Sequence, residues 1–212
     1  MNYVAHLFLA EPSDEHRIGS LLADFTVGTL DALRTKYSET IVAGIEHHRA
    51  VDRFTDTHRD VERALDGLKD RFGLYAGIVT DVVFDHFLLK HWRRFSDVPT
   101  EVFFDAVYKS LDRWEWPYPE RYTRVVTGII EKRWLSSYID LHSVSYALKR
   151  VGMRFPRPTP LVDTYDAISE NYALLDDTFL SFFPELTAFS MAMTKSHVRA
   201  GSAPARGKAA MR

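Results

Sequence analysis

Acidic and histidine side chains stand inside two otherwise apolar helical stripes of this 212-residue chain. The first stripe is formed by Ile41, Ile45, His48 and Asp52, at steps of four, three and four residues. This spacing places the four side chains on one helix face. An imidazole and a carboxylate then lie one turn apart, within reach of a common ion.

The second stripe carries two carboxylates. It is formed by Ile78, Asp81, Asp85, Leu88 and Trp92, at steps of three, four, three and four. Buried carboxylates one turn apart repel each other, so one must be protonated or a cation must lie between them. A divalent metal ion meets the second condition. His86 follows Asp85, rotated by about 100° around the helix axis.

Each of these polar side chains also has an ordinary structural explanation. A histidine on an apolar face usually finds a local hydrogen-bond partner, and this is the default for His6 in the apolar first helix. Asp81 could form an ion pair with Arg49 or Arg53 instead of binding a metal. Asp24, which ends an apolar run, could be a helix-end charge in water.

The composition limits the chemistry that is available. The chain has no cysteine, which excludes disulfides, thiolate nucleophiles and cysteine-ligated zinc or iron–sulfur sites. A metal must therefore bind His, Asp and Glu, a ligand set suited to Mn, Mg, Fe or Zn. Nucleophile-elbow, phosphate-loop and dinucleotide-binding glycine motifs and the His-Glu-x-x-His zinc helix are absent from the sequence.

Charge and hydropathy indicate where the protein works. The formal net charge is −2, which gives no argument for a nucleic-acid partner. The apolar N-terminal stretch is too short to span a bilayer and lacks a basic leader, so we expect no membrane partner. We therefore expect a cytoplasmic protein.

The apolar spacing is helical nearly throughout and predicts an all-α, single-domain helical bundle. The predicted helices cover residues 3–10, 15–27, 39–54, 57–70 and 74–94, a segment from Pro99 to about 114, two pieces of 120–151, and a last stripe from Tyr165 to Phe182. Ser38 is the expected N-cap of the third helix. The proline-rich residues 155–160 predict a stiff connector. The helical domain is expected to cover residues 1–197, followed by a disordered basic tail over 198–212.

Four motifs together resemble those of the acyl carrier protein phosphodiesterase family, in their order and approximate spacing. They are Met-Asn-Tyr-Val-Ala-His-Leu at 1–7, Gly-Ser-Leu-Leu-Ala-Asp-Phe at 19–25, residues 44–52 with 55–56, and residues 81–88 with His91-Trp92 behind them. The helical second half and the Phe182-Phe183-Pro184 segment also look similar. The resemblance covers about residues 1–190.

The resemblance implies both an architecture and an activity. The family is described as a diverged relative of the HD-type metal phosphohydrolases, which implies a distorted HD-like bundle. It removes the 4′-phosphopantetheine arm from holo acyl carrier protein, with Mn²⁺ favoured. The chain departs from the parent pattern because it contains no His-Asp dipeptide, and Asp85-His86 has the reverse order.

On this interpretation the polar residues take defined roles in hydrolysing a phosphodiester. The expected metal ligands are Asp24, His48, Asp85 and His86. Asp52 and Asp81 would complete the shell or orient His48 and the attacking water. Arg49 is a candidate phosphate clamp, with an ordinary ion pair as the alternative.

Acidic acyl carrier protein should dock on a local basic rim despite the negative net charge. Lys90, Arg93 and Arg94 follow the second polar stripe and are the candidates, although charges at a helix end are usually just solvated. Two other functions stay open at this point. One is a related phosphohydrolase of a nucleotide or other small phosphoester, and the other is a helical module that holds carrier protein without hydrolysing it.

Overall fold

The structure, a computed structural model, describes residues 1–113 and 117–201. All regular structure in those residues is helical, which confirms the all-α prediction. The α-helices are α1 (Tyr3–Leu9), α2 (Asp14–Leu22), α3 (Leu30–Arg34), α4 (Glu39–Asp56), α5 (Arg59–Phe72), α6 (Ala76–Lys90), α7 (Trp92–Phe95), α8 (Thr100–Asp112), α9 (Glu120–Lys132), α10 (Leu141–Gly152), α11 (Tyr165–Glu170) and α12 (Tyr172–Gly201). Short 3₁₀-helices cover Ala23–Phe25, Gly73–Tyr75, Trp134–Ile139 and Pro160–Val162.

Most predicted helices are present, with one additional helix and two interruptions. Ser38 caps α4 as expected, since its hydroxyl accepts a hydrogen bond from the Ile41 N–H at 3.3 Å. The short helix α3 was not predicted. The predicted long helix over 74–94 ends at Lys90 and restarts at Trp92, and the last stripe is interrupted at Asn171 between α11 and α12.

Two predicted boundaries fall on or near residues outside the described ranges. The end of α8 is described up to Arg113, and residues 114–116 lie outside. The predicted tail begins at 198, where α12 continues to Gly201, and residues 202–212 lie outside the described part. The division into a domain over 1–197 and a tail stays a prediction.

Helix α6 lies at the centre of the molecule, in contact with α1, α5, α10 and α12. Phe84 and Phe87 of α6 are completely buried and pack against Phe179 and Phe182 of α12. Burying a side chain of this size stabilises the fold by roughly 1.5–3 kcal/mol. The predicted apolar stripe of the last helices is thus confirmed as core.

Helices α2 and α4 cross with their backbones in direct contact. A Cβ added to Gly44 would lie 2.3 Å from the His16 carbonyl oxygen, and one added to Gly19 would lie 2.0 Å from that of Ile41. Only glycine fits at this crossing, because the neighbouring atoms belong to the main chain. The crossing brings the end of α2 against the first half of α4.

One stretch of the described residues, Arg59–Lys90, is long and apolar enough to cross a membrane by length and composition. Its most apolar window is 67% buried inside the protein. The glycine turn at Gly73, with φ of 53°, divides the stretch into α5 and α6. Burial of this kind is typical of core helices.

Candidate metal centre

The first helix is held in place by a carboxylate from the centre of the bundle. Asn2, at the N-cap of α1, makes no side-chain cap hydrogen bond. Instead, the N–H groups of Val4 and Ala5 donate to the two carboxylate oxygens of Asp85, at 2.9 and 2.8 Å. These are N–H groups that a helix leaves without intrahelical partners, and an anion is favoured there. Asp85 therefore fixes α1 against α6.

Asp85 is completely buried, and this sets its protonation. Burial raises the pKa of its carboxyl to about 7, against the opposing effect of the hydrogen bonds from Val4 and Ala5. The nearby negative charge of Asp81 raises it further. The carboxyl of Asp85 is thus much more basic than an aspartate in water.

The docked first helix places His6 on His48 of α4. Their rings stack with centroids 3.7 Å apart and planes inclined by 14°. The Nε2 atom of each ring points to Asp52, with His6 Nε2 3.0 Å from Oδ1 and His48 Nε2 3.0 Å from Oδ2. The three residues bring one ligand atom each to within 4.8 Å of one another.

Asp24 extends this cluster from the 3₁₀-helix that follows α2. Its Oδ1 lies 3.3 Å from His48 Nε2. The side chain of Asp24 is 45% exposed and that of Asp52 is 36% exposed, whereas both histidines are buried. The carboxylate side of the cluster is therefore open to a ligand from solvent.

The carboxylates of the cluster stabilise a positive charge beside them. Burial alone would lower the pKa of His48, but its hydrogen bonds to Asp24 and Asp52 raise it to about 9. For Asp24 and Asp52, burial acts to raise the pKa and the contact with His48 outweighs it, so both carboxyls have a lowered pKa. Burial and the neighbouring His48 lower the pKa of His6 to about 3. Two ionised carboxylates thus share one protonated histidine, and the other stays neutral.

Asp81 lies beside the cluster and pairs with the amino group of Met1. The Met1 nitrogen is 2.8 Å from Asp81 Oδ1 and 3.5 Å from Asp52 Oδ1. Asp81 therefore forms neither of the arginine pairs considered from the sequence. It holds the first residue of the chain next to Asp52.

The comparisons with known proteins agree on one family. The family model described as acyl carrier protein phosphodiesterase matches residues 1–186. The chain belongs to this family. The match includes every residue of the cluster and both glycines of the α2–α4 crossing.

Curated relatives carry the same family description. The acyl carrier protein phosphodiesterase of Pectobacterium atrosepticum is 32% identical over 187 residues, covering 88% of this chain and 95% of the relative. The protein of that name from Photorhabdus laumondii is 33% identical over 187 residues, covering 87% and 92%. The one from Salmonella agona is 31% identical over 189 residues, covering 89% and 96%. No solved structure matches the chain significantly.

The donor set of the cluster fits a divalent ion of the kind this family was expected to use. Two imidazole nitrogens and a carboxylate are a ligand set that suits Mn, Fe or Zn. The Nδ1 atoms of His6 and His48 are buried and have no hydrogen-bond partner among the described residues. The polar contacts of the two rings therefore pass through Nε2, which faces the carboxylates and, in His6, also lies 3.2 Å from the Met1 carbonyl oxygen.

The structure brings together three of the predicted site residues, and Asp85 and His86 differ from the prediction. Asp24, His48 and Asp52 converge as expected. Both oxygens of Asp85 are engaged as the cap of α1, since this carboxylate faces a helix N-terminus and not the cluster. His86 Nδ1 is 2.9 Å from the Tyr138 carbonyl oxygen.

The remaining ring nitrogen of His86 also has a partner outside the cluster. His86 Nε2 is 2.8 Å from the Tyr172 hydroxyl, so neither nitrogen faces the predicted metal position. Arg49 also has partners outside the cluster. Its Nη atoms donate to the carbonyl oxygens of Gly28 and Thr26, at 3.0 and 3.4 Å, and so brace the loop that follows Asp24.

Sequence reasoning missed His6 as a member of the site. No acidic or other histidine residue lies one helical turn from it on α1, so the spacing argument that found His48 and Asp52 could not be applied. The signal that could have found it is its place in the first of the four family motifs. There it follows the two N–H groups that Asp85 binds.

Proposed function

We propose that the protein hydrolyses the phosphodiester that joins 4′-phosphopantetheine to the serine of holo acyl carrier protein, in a reaction that depends on a divalent metal, with Mn²⁺ favoured. The observation that carries the proposal is the convergence of His6, His48 and Asp52 at a solvent-open site. This site lies in a chain that belongs to the acyl carrier protein phosphodiesterase family over residues 1–186.

The residues of the cluster would have different roles in hydrolysis. His6, His48 and Asp52 would hold the ion, and His48 would lose its Nε2 proton on binding it. A divalent ion there would lower the pKa of a bound water and offset the charge of the phosphoryl oxygens. Asp24 is ionised and partly exposed, so it is placed to accept the proton of the attacking water. Asp81 would help to orient the ion or the water through its position beside Asp52.

The bonds of the reaction balance without a further reactant. Water adds to phosphorus, the bond from phosphorus to the serine oxygen breaks, and the serine oxygen takes up a proton. The products are apo acyl carrier protein and 4′-phosphopantetheine. Arg49 supports the site by bracing the loop behind Asp24, and a direct contact of Arg49 with phosphate stays a prediction. The cytoplasmic location and the lack of membrane and nucleic-acid partners also stay predictions.

The decisive experiment follows the mass of the carrier protein. Purified protein with Mn²⁺ should convert holo acyl carrier protein to the apo form, and a chelator should stop the conversion. The same preparation is offered a panel of nucleotides and small phosphoesters. Turnover of a nucleotide without conversion of holo carrier protein would favour the alternative phosphohydrolase. Conversion that continues unchanged in chelator would contradict the metal dependence.

A further inference from the structure

A strongly basic segment follows α10. Residues 149–157 contain Lys149, Arg150, Arg154 and Arg157 and no acidic residue, and all four side chains are exposed. Lys149 and Arg150 lie in the last turn of α10, where cations are common because they interact favourably with the helix dipole. Arg154 and Arg157 lie beyond the end of the helix, so the dipole does not explain them. We call these four residues the basic rim.

The charges of the basic rim are not neutralised within the protein. None of its four side chains forms an ion pair with a carboxylate of the described ranges, 1–113 and 117–201. One of the three docking cations predicted from the sequence is neutralised. Lys90 Nζ lies 2.7 Å from Asp176 Oδ2. Arg93 and Arg94 are exposed and, like the basic rim, form no ion pair with a carboxylate of the described ranges.

The backbone of this segment is held rigidly. Arg157 stands between Pro156 and Pro158, whose rings fix φ. The chain is then anchored by Leu161, which is completely buried, and by close packing on Gly152, where an added Cβ would lie 2.8 Å from the Thr159 hydroxyl. Rigid presentation lowers the entropy lost when a partner binds.

The basic rim is connected to the first helix of the metal centre through packed elements. Tyr3 of α1 packs against Trp134, with ring centroids 6.0 Å apart. The 3₁₀-helix that begins at Trp134 contacts α10, which carries Lys149 and Arg150. Met153 and Phe155 flank Arg154 with 72% and 39% of their surface exposed, and supply apolar contact area.

We infer that the basic rim is the docking surface for the acidic face of acyl carrier protein. The inference rests on the proposed function and adds the surface that selects its protein substrate. Unpaired arginines beside exposed apolar side chains match the composition of protein interfaces, where Arg, Met and Phe are enriched. A cationic rim would also attract an acidic partner that the net charge of −2 would repel.

Charge-reversal variants test whether carrier protein binds the basic rim or the surface around Arg93 and Arg94 that the sequence predicts. Arg154→Glu with Arg157→Glu is compared with Arg93→Glu plus Arg94→Glu, two exposed arginines with the same total change of charge. Binding of fluorescently labelled apo acyl carrier protein is measured by anisotropy at low and moderate salt, after thermal melting has shown that both variants are folded. We expect the first variant to raise Kd on the order of tenfold and to flatten its salt dependence, and the second to leave Kd within about twofold.

Binding is measured independently of turnover, so the two proposals fail separately. An unchanged Kd for the Arg154→Glu, Arg157→Glu variant would overturn the docking surface. So would an equal loss of binding in both variants, which would show a general charge effect, or wild-type protein that does not bind the carrier. Wild-type protein that binds the carrier but does not hydrolyse the holo form would instead refute the proposed function.

Discussion

Two aspartates of this protein show how the surroundings decide what one residue type does. Asp52 accepts contacts from two imidazoles and is partly open to solvent, so it stays ionised and available to a cation. Asp85 receives two main-chain N–H groups and no solvent, so it caps a helix. The two carboxylates looked alike in the sequence, because each lies on an apolar stripe.

The role of Asp85 leads to a prediction about pH. Its pKa in the folded protein, about 7, lies above the 3.8 of an unperturbed aspartate, so the folded state holds the proton more tightly than the unfolded state. Stability from this group is therefore fully present below about pH 4 and is lost as pH rises through 7. Asp85→Asn cannot titrate. We expect the unfolding free energy of wild type, minus that of the variant, to fall by up to about 1.4 kcal/mol per pH unit in this window.

Urea denaturation in chelator at several values between pH 4.5 and 8 measures this difference. Titrations at sites that do not interact with Asp85 cancel in the subtraction, since both proteins carry them. A difference that is constant across the range would show that Asp85 stays ionised throughout, held by the N–H groups of α1 alone.

At the scale of elements, the crossing of α2 and α4 sets the distance between Asp24 and His48. In Gly44→Ala the new methyl group would meet the His16 carbonyl and the Ser20 amide, both main-chain atoms, so the helices must move apart. We expect a loss of about 1–3 kcal/mol in stability. Hydrolysis of holo carrier protein should fall further than stability alone explains, because Asp24 moves away from His48.

Gly128→Ala is the matched control for this substitution. Gly128 lies inside α9, and an added Cβ would meet no atom within 4 Å. Alanine there should be neutral or stabilise the fold by up to about 1 kcal/mol, as alanine favours helix over glycine. Chemical denaturation and activity are measured for both variants. If Gly44→Ala and Gly128→Ala had the same stability and the same activity, the α2–α4 crossing would tolerate a wider spacing of the two helices.

Sequence patterns predicted these elements well where the information is local. The 4-3-4 spacing around His48 and the cap at Ser38 depend on neighbours within a turn, and both are confirmed. The cap of α1 could not be predicted in this way, because its acceptor, Asp85, lies about eighty residues further along the chain. His6 was missed for the same reason, since only the docking of α1 on α6 brings it to His48.

At the scale of the whole molecule, the proposed metal ligands come from two segments that are far apart in the sequence. His6 lies on α1, and His48 and Asp52 lie on α4. An ion that binds all three ligands holds the two helices together only in the folded chain. Binding should therefore stabilise the fold as a whole and not one helix alone.

Because metal binding and folding are coupled, Mn²⁺ should raise the Tm only when the metal ligands are intact. At an ion concentration about 100 times Kd, binding adds about 2.7 kcal/mol of stability. For a chain of this length that amount corresponds to a rise in Tm of about 5–10 °C. Scanning fluorimetry with and without Mn²⁺ should show this rise for wild type and lose it in Asp52→Asn. Asp66→Asn changes an exposed carboxylate on α5, so its response to Mn²⁺ should equal that of wild type. A rise that survives in Asp52→Asn would place the bound ion elsewhere in the molecule.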